Sequence, residues 1–313
     1  MTVPGVSGGA KIKDDLIQPF LLEVPNLRGR LIRLGPVVDT IIARHDYPAP
    51  VADLLGEMLG LTALLASMLK FDGVFTLQTK SDGAIPLLVS DVTTEGELRG
   101  YAEFKEDRLA AVAGSNGGAA VEAAPVLGKG HLALTVDQGP DTERYQGIVE
   151  LQDGDLTESV QHYFRQSEQL KTGLTVAAGR GANGWRAGGL LLQQMPEDER
   201  DGIALGSGEE DDWRRSQVLM STCTDQELLD PTLPANDLLY RLFHEERVRV
   251  HAPRPVTLGC RCSVERIERI LRSLDPAELA DLKTDEGLVV VTCQFCNVGY
   301  SFSDEDLARI FAT

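Results

Sequence analysis

Two closely spaced cysteine pairs near the C-terminus constrain the fold of this chain more than any other feature. Cys260 and Cys262 form a C-x-C pair, Cys293 and Cys296 form a C-x-x-C pair, and 30 residues separate the two pairs. Two pairs on a span that can fold back predict a tetrahedral zinc site with four thiolate ligands and Zn–S distances of about 2.3 Å. Because four protein ligands leave no coordination position for water, a catalytic zinc is disfavoured.

The segment around these cysteines is predicted to fold as a small module. A helix is expected over residues 263–274 with Ser263 as its N-cap, strands over 288–291 and 298–302, and a last helix that begins at Ser303. About 60 residues bury little apolar surface by themselves, and a structural zinc contributes on the order of 10–16 kcal/mol to the folding of such a module. The module should therefore unfold when the metal is lost.

The hydrophobic pattern upstream predicts an α+β domain over residues 1–195. Residues 16–34 alternate like strand, residues 51–69 carry apolar side chains at helical spacing, and residues 155–169 favour a helix capped by Asp155. Further strand-like runs cover residues 74–78, 85–92, 98–104, 132–136, 145–151, 174–178 and 187–194. We therefore predict a mixed α/β core with antiparallel sheets and packed helices.

The residues between the last two runs, Gly179 to Gly184, match the dinucleotide fingerprint G-x-G-x-x-G. That fingerprint binds a nucleotide when it opens a helix inside a βαβ unit, whereas a strand follows here. We predict a hairpin loop at these glycines and no nucleotide site.

A change of composition after Met195 divides the rest of the chain. Helix-prone stretches over residues 213–229 and 236–248 follow a Gly-rich break, so residues 196–246 are predicted to form a charged helical linker. An ordinary acidic surface helix would show the same charges. Residues 247–313 then form the zinc-binding domain.

The N-terminus and the apolar runs predict a cytoplasmic protein that does not cross a membrane. The run from Met58 to Leu69 is too short to span about 30 Å of hydrocarbon, and the N-terminus lacks the pattern of a secretory signal. In a reducing cytoplasm, clustered cysteines indicate metal binding or redox chemistry rather than structural disulfides.

The sequence does not predict an enzyme. It lacks the sequence motifs of serine hydrolases, zinc proteases and P-loop NTPases, and its histidines are dispersed and predicted to be surface or packed residues: His45, His131, His162, His244 and His251. Cys223 stands alone in a predicted helix, where it is expected to act as a small apolar residue, with a role as a fifth redox thiol as the alternative.

Two other functions compete with a structural or regulatory zinc site. A zinc-ribbon regulator of nucleic acid would use the arginines near the cysteines, but the chain has 48 acidic residues against 30 Lys and Arg, a net charge of −18, which argues against a general nucleic-acid binder. A thiol-disulfide oxidoreductase would use Cys293 and Cys296, but such enzymes place C-x-x-C at a helix N-terminus, and a strand is predicted here.

The chain resembles the redox-regulated thirty-three-kilodalton heat-shock chaperone family over nearly its whole length. The resemblance depends most on the spacing of the two cysteine pairs. It also includes the segments Leu69-Lys70-Phe71, Leu77-Gln78, Leu98-Arg99-Gly100-Tyr101, Tyr163-Phe164-Arg165-Gln166-Ser167-Glu168-Gln169 and Ala187-Gly188-Gly189-Leu190-Leu191-Leu192-Gln193.

This resemblance implies a redox switch. In the reduced form one zinc ion per chain would be held by Cys260, Cys262, Cys293 and Cys296, and the C-terminal domain would support a metastable linker. Hypochlorite, or peroxide with heat, would form the disulfides Cys260–Cys262 and Cys293–Cys296 and expel zinc. The linker would then unfold and expose apolar surface that binds unfolding client proteins without ATP, and the oxidised form would tend to be a homodimer. The resemblance implies that neither nucleic acid nor a membrane is a partner.

The position of the negative charge suggests a role in such a switch. Residues 196–230 contain eleven acidic residues against three arginines, a net charge of −8. Self-repulsion would keep this segment near its unfolding threshold. On this argument, harsher conditions for activation are expected after neutralisation of Glu209, Glu210, Asp211 and Asp212.

Overall fold

The fold is taken from a computed structural model, which describes residues 14–115, 126–139, 142–152, 155–168, 170–195, 209–275, 279 and 282–312. The first 13 residues and residues 196–208 of the predicted linker, including the acidic residues Glu197, Asp198, Glu199 and Asp201, lie outside the described residues.

The secondary structure alternates between strands and helices along most of the chain. The strands are β1 (Leu16–Leu22), β2 (Leu27–Leu34), β3 (Val74–Ser81), β4 (Leu87–Thr93), β5 (Glu97–Glu103), β6 (Gly130–Asp137), β7 (Tyr145–Glu150), β8 (Thr172–Gly181), β9 (Gly184–Gln194), β10 (Val248–Val250), β11 (Arg254–Pro255), β12 (Thr257–Leu258), β13 (Val289–Thr292) and β14 (Gly299–Phe302). The helices are α1 (Pro36–Ala43), α2 (Ala49–Ala66), α3 (Glu106–Ser115), α4 (Leu156–Tyr163), α5 (Glu209–Ser221), α6 (Asp225–Leu229), α7 (Ala235–Phe243), α8 (Val264–Leu271) and α9 (Asp304–Phe311).

The strands form two larger sheets and one hairpin. The first sheet has the order β10-β1-β2-β9-β8, with β11 also paired to β1, and the second has the order β12-β5-β4-β3-β6-β7. The short β12 runs parallel to β5, whereas the hairpins that build both sheets are antiparallel. The predicted α+β class with antiparallel sheets is confirmed.

Helix α2 lies between the two sheets. It contacts β2, β8 and β9 of the first sheet and β3, β4 and β5 of the second, and its apolar side chains are buried on nearly every side. An all-round apolar helix needs such a two-sided environment. By length and composition alone, α2 could cross a membrane, although the apolar run at residues 58–69 of the sequence is too short to do so. In the structure, 72% of α2 is buried inside the fold.

The described part of the linker, residues 209–246, packs on the face of the first sheet that points away from α2. Its helices α5, α6 and α7 share a buried cluster with β1, β2, β8 and β9. The buried members of this cluster are Phe20, Leu22, Leu27, Leu31, Ala177, Leu190, Leu192, Met220, Leu228, Leu238, Leu239, Leu242 and Phe243. Residues 209–246 of the linker are thus folded in this structure, and they cover apolar side chains of the sheet.

The single helix predicted over residues 213–229 is wrong, because the chain forms two helices there. Helix α5 ends at Ser221, and Thr224 begins α6 through a capping box with Glu227. The side chains of Thr224 and Glu227 each accept a hydrogen bond from the backbone N–H of the other, so the chain turns at this point. Cys223, predicted to be helical, lies in the turn and is half-buried.

Residues 248–258 return from the linker to the two sheets. Strands β10 and β11 pair in succession with β1, from Leu22 back to Leu16, and β12 then pairs with β5. The sequence assigned this segment to the C-terminal domain. In the structure it forms a strip along the edges of both sheets and leads directly to the first cysteine pair.

The C-terminal residues form a third buried cluster. Helices α8 and α9 pack against the β13–β14 hairpin through Ile267, Leu271, Val289, Phe302 and Ile310. The helices begin as predicted, since the Ser263 and Ser303 hydroxyls accept hydrogen bonds from backbone N–H groups three residues later.

Other predicted features are confirmed, and some helices were missed. Gly179 to Gly184 form the end of the β8–β9 hairpin, and the Asp155 carboxylate caps α4 by accepting from the backbone N–H of Glu158 at 2.8 Å. The helix predicted to continue to residue 169 becomes a π-helical turn at Phe164–Glu168. Helices α1 and α3 were not predicted, although Pro36 in the first turn is a helix-start signal.

Candidate metal centre

The four cysteines of the two pairs come together in one cluster. Their Sγ atoms all lie within 4.8 Å of one another. The Sγ atoms of Cys260 and Cys262 are 3.3 Å apart, those of Cys260 and Cys293 are 3.7 Å apart, and those of Cys262 and Cys296 are 3.3 Å apart. All four are free thiols in this structure.

Two short turns position these sulfurs. Cys260 and Cys262 lie between β12 and α8, and the second pair lies in the turn of the β13–β14 hairpin. That turn is closed by hydrogen bonds from the Cys293 N–H to the Val298 carbonyl at 3.0 Å and from the Asn297 N–H to the Cys293 carbonyl at 2.7 Å. Asn297 adopts a left-handed φ of 57°, a conformation that asparagine tolerates better than most residues.

The cluster fits a zinc ion by its donor set and its spacing. Four sulfurs bound tetrahedrally at about 2.3 Å from Zn²⁺ lie about 3.8 Å apart, close to the Sγ separations of 3.3 and 3.7 Å found here. Cys296 is buried and the other three cysteines are half-buried. The soft thiolate set matches zinc better than it matches Mg²⁺ or Ca²⁺, which prefer oxygen ligands.

The electrostatics of the thiols also favour a bound cation. Burial opposes ionisation of Cys260, but hydrogen bonds from the Cys262 backbone and from neighbouring thiols lower its pKa to about 7. Burial raises the pKa of Cys262, and it raises the pKa of Cys296 to about 12. Without a positive ion, negative charges a few ångströms apart repel one another, so the four groups cannot all be thiolates near neutral pH.

Tyr300 on β14 supports the cluster from the module itself. Its hydroxyl donates a hydrogen bond to the Cys262 sulfur at 3.2 Å, and this bond raises the pKa of Tyr300 to about 12. A donor on a ligand sulfur fixes the orientation of that ligand and offsets part of its charge.

A buried carboxylate of the second sheet contacts the first cysteine pair. The Asp91 side chain on β4 is 5% exposed and accepts a hydrogen bond at 2.7 Å from Arg261, the residue between Cys260 and Cys262. Arg99 on β5 donates to both oxygens of the same carboxylate at 2.9 to 3.1 Å. Asp91 is therefore shared by two arginines, one from the sheet and one from the cysteine loop.

The second cysteine pair contacts the same region of the core. The Arg99 guanidinium lies 3.9 Å from the centre of the Phe295 ring, within cation–π distance. The Gln294 carbonyl lies 2.7 Å from Nε2 of His45, and the Asn297 side chain donates to the Arg44 carbonyl at 2.9 Å. The residues that separate or follow the cysteines thus make contacts between the C-terminal module and the sheets.

The C-terminal end of the linker is held by a separate ion pair. Glu246, which is 2% exposed, accepts hydrogen bonds from Arg215 of α5 at 2.5 and 2.9 Å. The hydrogen bonds to Glu246 raise the pKa of Arg215. Because Glu246 lies two residues before the strip at residues 248–258, this pair ties α5 to the point where the chain leaves the linker.

The sequence pattern identified the sulfurs but missed their neighbours. Asp91 and Tyr300 were not singled out, and the signal for Arg99 was its position in the segment Leu98-Arg99-Gly100-Tyr101 that carried the family resemblance. Cys223 is remote from the cluster in its contacts, its sulfur lying near the Thr224 carbonyl at 3.9 Å. Trp213 and Met220 pack in the linker cluster.

The geometry bears on the two competing functions. Cys293 and Cys296 lie in a β-hairpin turn and not at a helix N-terminus, which is the position that activates the cysteines of thiol-disulfide oxidoreductases. Of the arginines near the cysteines, Arg261 is bound to Asp91, and Arg272 donates to the Ile310 carbonyl at 2.9 Å. Both guanidinium groups are therefore engaged within the protein and are not presented to a phosphate group.

Comparisons with known proteins agree with one another. A family model described as "Hsp33 protein" matches residues 15–303. The 33 kDa chaperonin of Caulobacter vibrioides (strain NA1000 / CB15N) is 40% identical over 290 residues, 91% of this chain and 94% of that protein. The 33 kDa chaperonin of Azotobacter vinelandii is 41% identical over 300 residues, 95% of each chain.

The fold also matches a solved structure. The crystal structure of the 33 kDa chaperonin (heat shock protein 33 homolog) of Thermotoga maritima superposes with a TM-score of 0.79 and covers 96% of this chain and 98% of that chain. At 24% sequence identity, this likeness supports the architecture of sheets, linker helices and C-terminal module.

Proposed function

The chain belongs to the Hsp33 family, and from that membership we propose that it is an ATP-independent holdase, switched on by oxidation of its cysteine centre. The relatives named 33 kDa chaperonin support the chaperone role itself. In this proposal the protein acts in the cytoplasm, binds unfolding client proteins without catalytic turnover, and uses neither nucleic acid nor membrane as a partner.

One observation supports the proposed switch: residues that lie between the cysteines make contacts with the core. Arg261 separates Cys260 from Cys262 and binds Asp91. Phe295 lies between Cys293 and Cys296 and stacks on Arg99. A chemical change at the sulfurs therefore alters the loops that hold the module against the sheets.

In the reduced form, Cys260, Cys262, Cys293 and Cys296 would hold one zinc ion per chain. A zinc ion bound there neutralises the thiolates and stabilises the small module. Tyr300 orients the Cys262 sulfur. Burial opposes the charge of Arg99, but the Asp91 carboxylate, and after it the Cys260 sulfur, raise the pKa of Arg99.

Oxidation is proposed to join Cys260 to Cys262 and Cys293 to Cys296. One thiolate of a pair attacks peroxide to form a sulfenic acid and releases hydroxide, and its partner thiol displaces water to form the S–S bond. Each pair thereby gives up two electrons, and of the two peroxide oxygens one leaves as hydroxide and the other as water. The sulfurs of a disulfide no longer serve as thiolate ligands, so the centre loses its metal.

Disulfide formation changes the shape of the Arg261 loop. The two sulfurs must approach from 3.3 Å to about 2.05 Å, within a loop that has a single intervening residue. This contraction moves Arg261 and breaks its hydrogen bond to Asp91 in our proposal. The module, without metal and without this contact, then unfolds or leaves the sheets.

Release of the module frees the linker from its C-terminal end. The strip at residues 248–258 holds the end of the linker by pairing with β1 and β5. When it is lost, α5, α6 and α7 expose the apolar face of the first sheet, and this face would bind clients and support a homodimer of the oxidised form. The proposed functional units are residues 1–195, 196–246 and 247–313.

The experiment that tests this function measures zinc content and suppression of client aggregation on the same samples. The full chain is assayed reduced, after peroxide or hypochlorite with mild heat, and after subsequent reduction. We expect zinc release and protection of the client to rise together and to be reversed by dithiothreitol. An equally active zinc-loaded form, or zinc release without a gain of activity, would contradict the switch.

A further inference from the structure

Two arginines lie buried beneath the linker on the outer face of the first sheet. Arg33 on β2 is 1% exposed, and Arg186 on β9 is 6% exposed. Arg33 donates hydrogen bonds to the carbonyl oxygens of Asp230 and, at 3.4 Å, of Glu227. Arg186 donates through Nε to the Leu229 carbonyl at 2.8 Å. Both guanidinium groups therefore bind the backbone at the C-terminal end of α6.

The rest of the site is shaped to receive that helix end. Gly188, paired with Arg33 across the β2–β9 ladder, lies under the Leu228 carbonyl, and a Cβ at this glycine would be only 2.4 Å from that oxygen. Asp14 fixes the Arg186 guanidinium with two hydrogen bonds at 2.6 and 2.7 Å. The arrangement is a cradle, formed by Arg33, Arg186 and Gly188, with one arginine already oriented by a carboxylate.

The chemistry of the cradle is that of a receptor for helix C-termini. The last carbonyls of a helix have no partner within the helix and need donors when they are buried. Guanidinium groups supply several donors in a fixed plane. Beside the cradle lie the apolar side chains of Phe20, Leu31 and Leu190, so the surface combines an apolar floor with donors at one end.

We propose that this cradle, once the linker leaves it, recognises the C-terminal turn of amphipathic helices in unfolding clients. The inference rests on the proposed function, because it needs the linker to be released. In the reduced protein α6 occupies the site as an internal stand-in. Unfolding proteins retain fluctuating helices, whose last carbonyls have no partner within the helix. A client helix would place its apolar face on the floor and its last carbonyls on the arginines.

The test compares two fluorescein-labelled peptides on the oxidised, zinc-depleted full chain. One peptide has the sequence of residues 224–243, which includes α6 and α7, and the other is a scrambled peptide of the same composition. Fluorescence anisotropy gives the affinity of each. The ratio of the two affinities is the readout, because it cancels differences in how completely each variant frees the apolar surface.

We expect the wild-type chain to prefer the 224–243 peptide and Arg33→Met to reduce the affinity ratio by about tenfold, the usual scale for loss of a hydrogen bond to a charged group. Arg186→Lys, which keeps a positive charge beside Asp14, should also reduce the ratio. Arg30→Met is the matched control: Arg30 is on the same strand, but it donates to the Ser67 carbonyl at the end of α2, on the other side of the sheet.

The outcomes separate this inference from the proposed function. An unchanged ratio in both Arg33→Met and Arg186→Lys overturns the inference. If the oxidised chain protects a client but does not distinguish the two peptides, the holdase function stands and the helix-end cradle does not. If oxidation produces neither client protection nor peptide binding, the proposed function fails as well. Circular dichroism and zinc content of each reduced variant report whether it folds.

Discussion

Arg261 donates a hydrogen bond to Asp91 at 2.7 Å, although 170 positions separate the two residues in the chain. The first lies between two cysteines of the candidate metal centre, and the second is buried in the second sheet, where Arg99 also binds it. Because the same carboxylate holds a core arginine and a loop arginine, movement of the cysteine loop changes the charge balance inside the sheet.

Substitution of Asp91 by asparagine should make the switch easier to operate. The change removes the charge that two arginines share, and breaking a buried ion pair costs about 3–5 kcal/mol. We expect Asp91→Asn to keep its zinc when reduced but to gain holdase activity at lower temperature or lower peroxide concentration. Zinc release and client protection, followed against temperature, measure the shift.

The control for Asp91→Asn is Glu158→Gln, which removes an exposed partner of Arg165. An exposed pair contributes about 0–1 kcal/mol, so this variant should switch like the wild type. Identical activation of Asp91→Asn and wild type would show that the contact with Arg261 does not hold the module in place.

Neutralising the acidic start of α5 should also ease activation, the opposite of the expectation from charge repulsion alone. Glu210 pairs with Lys171, which lowers the pKa of this glutamate, and Asp212 pairs with Arg215. Carboxylates in the first turn of a helix stabilise it. Replacing Glu209, Glu210, Asp211 and Asp212 by their amides should therefore lower the activation temperature by a few degrees.

Client protection in peroxide, measured against temperature, tests this prediction. The matched control neutralises four exposed glutamates outside the linker, namely Glu95, Glu103, Glu143 and Glu150, and so produces the same change in net charge. A higher activation temperature for the linker variant alone would support self-repulsion as the dominant effect.

The stability of the core should fall between about pH 4.5 and pH 7 because of Glu57 on α2. Burial raises the pKa of Glu57 from 4.5 to about 7, with the Asp155 charge adding to the effect and a hydrogen bond from Thr157 opposing it. Since the folded pKa is the higher one, this group destabilises the fold as pH rises through this window, and the loss is complete above it.

Glu57→Gln should remove that pH dependence. The amide oxygen can still accept the bond from the Thr157 hydroxyl, and at pH 8 the variant should be more stable by up to about 3 kcal/mol, with little difference near pH 4. Urea unfolding at both pH values measures this, with the exposed Glu103→Gln as control. A variant less stable than wild type at pH 8 would contradict the prediction.

Cys223 should react slowly with alkylating agents at neutral pH. Burial raises its pKa to about 11, and the neighbouring Glu227 charge adds to the shift. The thiolate is the reactive form, so the rate with iodoacetamide should rise about tenfold per pH unit up to that value. Peptide mass spectrometry of the zinc-loaded chain gives this rate, and glutathione in the same tube is the reference.

Cys223→Ser should leave zinc content and activation by peroxide unchanged. Its sulfur contacts the Thr224 carbonyl and no member of the cysteine cluster in its described contacts. Loss of activation in this variant would instead assign Cys223 a part in the switch.

The disulfide pairs of the oxidised chain can be mapped directly. Sγ distances alone do not select them, because Cys262 lies 3.3 Å from both Cys260 and Cys296. Trypsin cleaves after Arg261 as well as in α8, so the proposed pairs Cys260–Cys262 and Cys293–Cys296 should give residues 250–261 joined to residues 262–266, and residues 284–309 with an internal disulfide. A disulfide that joins either peptide of the first pair to residues 284–309 would contradict the proposed pairing.

Each cysteine pair was predictable from its local spacing, and the meeting of the two pairs from the tendency of four thiolates to share one metal ion. The helix starts at Ser263, Ser303 and Asp155 were predictable because capping involves residues only three positions apart. The glycine motif at Gly179 to Gly184 could be assigned to a hairpin from the strand pattern that follows it. These features depend on short-range chemistry, which a single sequence contains.

The contacts between distant segments could not be predicted in the same way. Nothing near Asp91 in the sequence distinguishes it from a surface aspartate, and its role follows only from the sheet that faces Arg261. Arg33 lies between Ile32 and Leu34 in β2, and nothing in the sequence indicates a partner for its charge. In the structure it is 1% exposed and donates to the Asp230 carbonyl of the linker. The break at Thr224 was missed because helix propensity on both sides concealed the capping box.

The strip at residues 248–258 has a mechanical consequence. Its strands are two or three residues long, and tension from the cysteine end reaches β12 first, then β11, then β10. When the cysteine end moves away from the sheets, the few hydrogen bonds of each short strand are loaded one strand after another, as in peeling. Detaching the end of the linker in this way needs only enough force to break one short strand at a time, although both sheets behind the strip are well buried.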